Sequence, residues 1–131
     1  MSQADVPIDI QLFGIGILKA LIIRHIAPFS ADAILDKLPL GLRGRFSFGS
    51  KKYWTLPGVE IYKGLNQSAI KELEKGDIVY NPKTDELMII LENQEFANKV
   101  NKIGEVKNNI DLILKARNGL NMKIYKKKSK N

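Results

Sequence analysis

The stretch GDIVYNPKTDELMIIL, residues 76–91, decides how we interpret the rest of the chain. Residues 77–80 show the two-residue alternation of a strand, residues 81–85 read Asn-Pro-Lys-Thr-Asp, and residues 87–91 are almost entirely apolar. Asn and Asp side chains bond to nearby backbone groups and proline fixes φ, so the middle segment favours a turn. We therefore predict an antiparallel hairpin whose second strand is deeply buried.

The composition indicates one folded domain over residues 1–131. Apolar residues make up 44% of the chain and charged residues 27%, which is typical of a globular protein with its own core. We expect the terminal segments 1–6 and 126–131 to be frayed tails.

Several compartments and chemistries are excluded by what the sequence lacks. It contains no cysteine, so it has no disulfide, no thiol nucleophile and no thiolate metal site. Segment 1–7 lacks the basic and apolar regions of a signal peptide. The apolar stretch 15–27 is too short to span a membrane and includes charged residues. We expect a cytoplasmic protein without a membrane partner.

The net charge of +7 raises nucleic acid as a partner. Four of the positive charges, however, are lysines 126, 127, 128 and 130, and without them the net charge is +3. A lysine-rich terminus is usually a solvated tail. We therefore rank nucleic-acid binding, through this tail with Arg43 and Arg45, third among the functional hypotheses.

Alternating apolar residues predict further short strands, which lie near residues 8–12, 18–26, 46–48, 53–56, 103–106 and 120–124. Two helices are predicted as well. The first covers about residues 30–38, with Ser30 as its N-cap and Pro39 as its stop. The second follows Asn108 or Asn109 and ends at Gly119.

The remaining segments look like connections. Residues 40–45 and 92–101 are polar or glycine-rich, and residues 64–75 fit either a short helix or a loop. About eight short strands with two or three short helices predict a mainly β protein. Its expected architecture is a closed β-barrel with helices at its ends.

Two segments resemble the cyclophilins. Residues 103–113, IGEVKNNIDLI, resemble the family's late strand-into-helix element, with Asn109 in place of a glycine. Gly76-Asp77-Ile78-Val79-Tyr80 followed by Pro82 resembles the Gly-Asp-x-x-Tyr-x-Pro element of a small cyclophilin-like family from archaea and bacteria. Most members of that family have no known function. The resemblance implies a cyclophilin-like β-barrel over residues 6–126.

The isomerase signature of true cyclophilins is missing. They carry a catalytic arginine ahead of Phe-x-x-Gln-Gly-Gly, with a tryptophan and a histidine later in the chain. Arg43 or Arg45 ahead of Phe46 matches only a fragment, no Gln-Gly-Gly follows, and the single tryptophan and histidine are Trp54 and His25. The resemblance therefore assigns no catalytic residue here.

No residue pattern indicates a cofactor, a metal site or a catalytic centre. His25 has no second histidine or cysteine as a partner, so we expect a solvent-facing or neutral side chain at a strand end. The carboxylates of Asp85 and Glu86 lie in the predicted turn, where we expect them to be solvated rather than to act as an acid–base pair.

We predict one ligand-binding cluster, which consists of Arg43, Arg45, Phe48, Trp54 and Tyr80. Aromatic side chains with a few directing polar groups are the usual lining of a pocket for an organic ligand. The alternative is that the aromatic residues are core and the arginines lie on the surface.

The side chains of Tyr53 and Trp54 must lie on opposite faces of their strand. Because the neighbours Lys51, Lys52 and Thr55 are polar, we expect an edge of the Trp54 ring to remain accessible in the groove.

Three hypotheses for the function follow. The first is non-enzymatic binding of a small molecule or an extended peptide in a groove beside Trp54 and Tyr80. The second is an enzyme, either a degenerate prolyl isomerase or a small hydrolase that uses Arg45. The third is weak nucleic-acid binding.

Overall fold

The computed structural model describes residues 5–46 and 50–127. These residues contain nine strands and two helices, joined by turns and loops. In chain order they are β1 (Asp5–Leu12), β2 (Gly16–Ile23), α1 (Pro28–Lys37), β3 (Leu40–Phe46), β4 (Tyr53–Pro57), β5 (Ile70–Leu73), β6 (Asp77–Asn81), β7 (Glu86–Ile90), β8 (Gln94–Asn108), a 3₁₀ helix (Ile110–Lys115) and β9 (Leu120–Lys126).

Eight of the strands close into a barrel. Their order around the ring is β2-β1-β9-β3-β4-β7-β6-β8, and β8 pairs with β2 to complete it. Every pairing in the ring is antiparallel. The remaining strand, β5, lies outside the ring and pairs only with β8. The predicted mainly β fold, a closed eight-stranded barrel with two helices, is confirmed.

The hairpin predicted for residues 76–91 is β6–β7, with Ile78 opposite Ile89 and Val79 opposite Met88. It is buried on both faces, which explains why residues 87–90 of β7 are all apolar rather than alternating. The inward face joins the main barrel core. The outward face joins a smaller group that we call the second cluster: Leu73, Val79, Met88, Ile90 and Val100.

The predicted loop at residues 40–45 is wrong, because this segment forms β3 between β4 and β9. Gly44 allows close packing rather than a turn. A Cβ atom added to Gly44 would lie 2.1 Å from the ring of Trp54, so no larger residue fits without displacing that ring. The sequence shows glycine at this position but not the indole that requires it.

The predicted connection at residues 92–101 is also wrong. Residues 94–101 are the first half of β8, a 15-residue strand that runs beyond the barrel and pairs there with β5. Because this half covers the barrel from outside, it is polar on its exposed side and does not alternate as a barrel strand does. For residues 64–75 the sequence predicted a short helix or a loop; residues 70–73 form the partner strand β5, and the rest of the segment is a loop with no helix.

The helix ends differ from the prediction as well. The helix α1 starts two residues earlier than expected, and Ser30 is not its cap: its hydroxyl is buried and accepts a hydrogen bond from Asn101 Nδ2 at 3.0 Å. The 3₁₀ helix does start after Asn109, whose φ of 70° is left-handed. Asp5, Val6 and Lys126, assigned to frayed tails, are paired in strands.

Candidate functional site

Trp54 lies inside the barrel, with no exposed surface. Its Nε1–H donates to the sulfur of Met122 at 2.7 Å, and its ring meets the Phe46 ring edge to face, with centroids 4.7 Å apart. The prediction that one edge stays accessible is therefore wrong. The alternation with Tyr53 is as expected: Trp54 has the inward position and Tyr53 the outward one. Polar neighbours along a strand do not reveal which face is the core.

Tyr80 is also buried within the barrel, where its hydroxyl donates to Asp85 Oδ1 at 2.6 Å. The same hydroxyl oxygen accepts the Lys63 amide at 3.2 Å. Burial, followed by the hydrogen bond to Asp85, raises the pKa of Tyr80 to about 12. The hydroxyl therefore connects Asp85 to the loop after β4 by hydrogen bonds, and it does not line a groove.

Asp85 binds the loop that follows β4, contrary to the expected solvated carboxylate. Its two oxygens accept the amides of residues 60, 61 and 62 at 2.7, 3.2 and 2.8 Å. Glu60 and Tyr62 have left-handed φ angles of 58° and 50°, which turn consecutive amides towards one point. Burial alone would raise the pKa of Asp85, but the hydrogen bonds from Tyr80 and the amides hold it below its ordinary value.

Of the three other predicted site residues, the structure describes Arg43 and Arg45. Arg43 lies on the outer face of β3 beside a shallow depression that contains Phe13 and Asn121. Arg45 lies on the same face, and its Nη2 is 3.2 Å from Glu86 Oε2. Phe48 lies outside the described residues. Of the four predicted residues that the structure describes, Arg45 lines a large open cavity.

That cavity, which we call the outer groove, has a volume of about 850 Å³ and lies on the outside of the barrel wall. Strands β3, β4 and β7 form its floor, and the first half of β8 forms its far side. Its main lining residues are Arg45, Tyr53, Thr55, Asn81, Glu86, Met88, Phe96 and Asn98.

The outer groove has an apolar side and a polar side. The rings of Tyr53 and Phe96 meet at 5.2 Å between centroids, inclined by 64°, and both are only partly buried. The polar part of the lining includes the Arg45–Glu86 ion pair and the amide side chain of Asn81. Such an arrangement can hold an organic molecule by apolar contact and orient it by a few hydrogen bonds.

Sequence reasoning missed Phe96, Asn98 and Glu86 as lining residues. A signal for the first two exists, because Phe96, Asn98 and Val100 have the two-residue spacing of one strand face. Reading residues 92–101 as a connection hid that spacing. Nothing in the sequence pairs Glu86 with Arg45, which lies 41 positions earlier.

Residues 5–46 and 50–127 contain no group of three or more His, Asp or Glu side chains placed to hold a metal ion. Within the same residues, neither helix has the length and apolar character needed to cross a bilayer.

Comparison with known proteins identifies the fold. No protein-family model matches the chain, and no curated protein sequence matches it. The solution structure of the hypothetical protein AF2241 from Archaeoglobus fulgidus is similar, with a TM-score of 0.75 at 14% identity, over 97% of this chain and 100% of that one. McbB in complex with tryptophan has a TM-score of 0.77 at 12% identity, over 95% of this chain but 46% of McbB. At these identities the likeness shows the fold alone.

Proposed function

We propose that this chain is a non-enzymatic binding domain that takes a small organic molecule, or a few residues of an extended peptide, in the outer groove. The observation that supports it is that the Tyr53–Phe96 ring pair and the Arg45–Glu86 ion pair line the same open groove. The volume of about 850 Å³ is within the usual range for sites of small ligands.

The chemistry of the lining favours binding over catalysis. The described lining contains neither histidine nor serine, and its one carboxylate, Glu86, is already paired with Arg45. Because Glu86 and Arg45 are each other's partners, neither side chain is free to act as a general base or to activate a nucleophile. Because Glu86 neutralises the guanidinium, Arg45 is better suited to orient a ligand by hydrogen bonds than to attract a free anion.

We also infer a cyclophilin-like origin. The segments 76–82 and 103–113 support it, together with the closed barrel. The enzymatic alternative, a degenerate prolyl isomerase or small hydrolase, gains one observation: Arg45 lies at the outer groove, directly before Phe46 at the end of β3.

Ligand-observed NMR with a mixed set of small fragments and short peptides tests the proposal. Molecules that bind should lose most of their saturation-transfer signal in Phe96→Ala and in Arg45→Ala. They should keep it in Tyr62→Ala, because Tyr62 is 75% exposed and does not line the outer groove. Unchanged melting temperatures show that each variant is folded.

Two results would contradict the proposal. In the first, binders respond equally to Tyr62→Ala and to the groove variants. In the second, a protease-coupled prolyl-isomerase assay detects turnover that Arg45→Ala abolishes, which would favour the enzyme.

A further inference from the structure

A second cavity, which we call the basic pocket, adjoins the outer groove. It has a volume of about 600 Å³ and is lined by Lys63, Lys71, Lys83, Lys99, Leu65 and Pro82, with Asn81, Ala97 and Asn98 at the border that it shares with the groove. The four lysines come from four separate parts of the fold: the loop after β4, strand β5, the β6–β7 turn and strand β8.

The positive charge of the basic pocket is not neutralised from within. No acidic residue is among its described lining residues. None of the four ammonium groups forms an ion pair or hydrogen bond with another residue in 5–46 or 50–127, although seven other ion pairs are present there. Asp85, the carboxylate of the adjacent turn, already accepts hydrogen bonds from Tyr80 and three amides.

Bringing four like charges to one concave site costs free energy, which an anion in the pocket relieves. The side chain of Asn81, at the border, can add a hydrogen-bond donor. Its Oδ1 atom already accepts the Lys83 amide at 3.0 Å, which leaves its N–H₂ group as the donor for a ligand. An anion therefore meets hydrogen-bond donors as well as charge.

We propose that the basic pocket is a binding site for a compact oligophosphate group, such as the di- or triphosphate of a small molecule. Lysine binds phosphate as a mobile point charge, and four lysines match an anion that concentrates several charges in a short chain. Carboxylates along an acidic peptide, or phosphates along a nucleic-acid strand, are spaced farther apart than the phosphates of an oligophosphate.

The position of the pocket also bears on the ligand of the outer groove. Because Asn81, Ala97 and Asn98 line both cavities, the rest of a molecule whose phosphates occupy the basic pocket emerges beside Phe96. This extension rests on the proposed function, whereas the anion site itself does not.

Calorimetric titration of the full chain with inorganic tripolyphosphate, at about physiological ionic strength, tests the anion site. The double variant Lys83→Gln/Lys99→Gln should weaken binding about tenfold or more. The matched control Lys52→Gln/Lys115→Gln removes the same charge from exposed lysines elsewhere and should change affinity by less than about twofold.

A second double variant, Lys63→Gln/Lys71→Gln, should lose a similar amount of tripolyphosphate affinity. The same loss in both double variants would show that it does not come from a folding defect in one of them. Arg45→Ala should leave tripolyphosphate binding unchanged, which separates a failure of this site from a failure of the outer groove. Equal weakening in the control variant would overturn the proposal, because binding would then follow net charge alone. Undetectable tripolyphosphate binding would overturn it as well.

Two further titrations identify the source of the anion. A single-stranded oligonucleotide and a glutamate-rich peptide are added under the same conditions. If either binds more tightly than tripolyphosphate and depends on Lys83 and Lys99, the site belongs to that polymer and the oligophosphate assignment is wrong. We expect both to bind more weakly than tripolyphosphate.

Discussion

Asp85 is the residue on which the region around the β6–β7 turn most depends. One carboxylate satisfies three consecutive amides and the Tyr80 hydroxyl, and so ties the loop after β4 to the central hairpin. Hydrogen bonds to a charged group contribute more than neutral ones, about 1.5–3 kcal/mol each. We expect Asp85→Ala to lower the free energy of unfolding by about 2–3 kcal/mol, which urea denaturation would measure.

The pH dependence of Asp85 has a definite sign. The pKa of its carboxyl group is lower in the folded chain than the ordinary value of 3.8, so its stabilisation is fully present above that value. It is lost as the pH falls through the folded pKa. The stability difference between the native chain and Asp85→Asn should therefore shrink below about pH 4.

Glu105, whose pKa is lowered to about 2 by Lys102 and Lys107, titrates in an overlapping range and is unchanged in both proteins, so it cancels in the comparison. A difference that stays constant down to pH 2 would contradict the role assigned to the Asp85 carboxylate.

At the scale of the element, β3 shows that a close contact with a neighbouring ring can require glycine at one position of a strand. Gly44→Ala would place a methyl group against the Trp54 ring, whereas Gly41→Ala on the same strand would meet only Met122 O, at 3.9 Å. We expect Gly44→Ala to destabilise the fold by about 1–3 kcal/mol or more. Gly41→Ala should change stability much less. Thermal denaturation of both variants makes the comparison, and equal melting temperatures would contradict the packing described here.

The elements that the sequence predicted correctly are those whose pattern reflects local burial. The β1–β2 hairpin, β7 and β9 alternate or stay apolar because their environments are regular along the strand. The first half of β8 was missed because it leaves the barrel, so its polar outward residues obscure the strand pattern.

The candidate site was largely missed for a related reason. Two of its expected members, Trp54 and Tyr80, point into the barrel, and only the tertiary fold decides which face of a strand is the inner one. Arg45 was identified, but its partner Glu86 and the Phe96 ring reach it from strands that are distant in sequence. The basic pocket likewise gathers lysines 63, 71, 83 and 99 from separate segments.

At the scale of the whole molecule, the net charge of +7 keeps nucleic acid as a third hypothesis. We expect weak binding that falls steeply with salt, because each neutralised phosphate releases a counterion. Deleting residues 128–131 should reduce it. The deletion starts at Lys128 because Lys126 pairs with Ile8 in the barrel.

Electrophoretic mobility shifts at two salt concentrations make this measurement. Binding that survives both the deletion and about 200 mM salt would mean a specific nucleic-acid site rather than a charged tail. The double variant Lys52→Gln/Lys115→Gln again serves as the control for a change in net charge.

The closed ring has a consequence for how the molecule behaves in concentrated solution. In the described sheet, each barrel strand has a neighbour on both sides, and only β5 pairs on one side. That open edge is four residues long and has the charged side chains of Lys71 and Glu72 at its centre. A short, charged edge is a poor template for another strand, so the architecture guards against edge-to-edge aggregation and fibril formation.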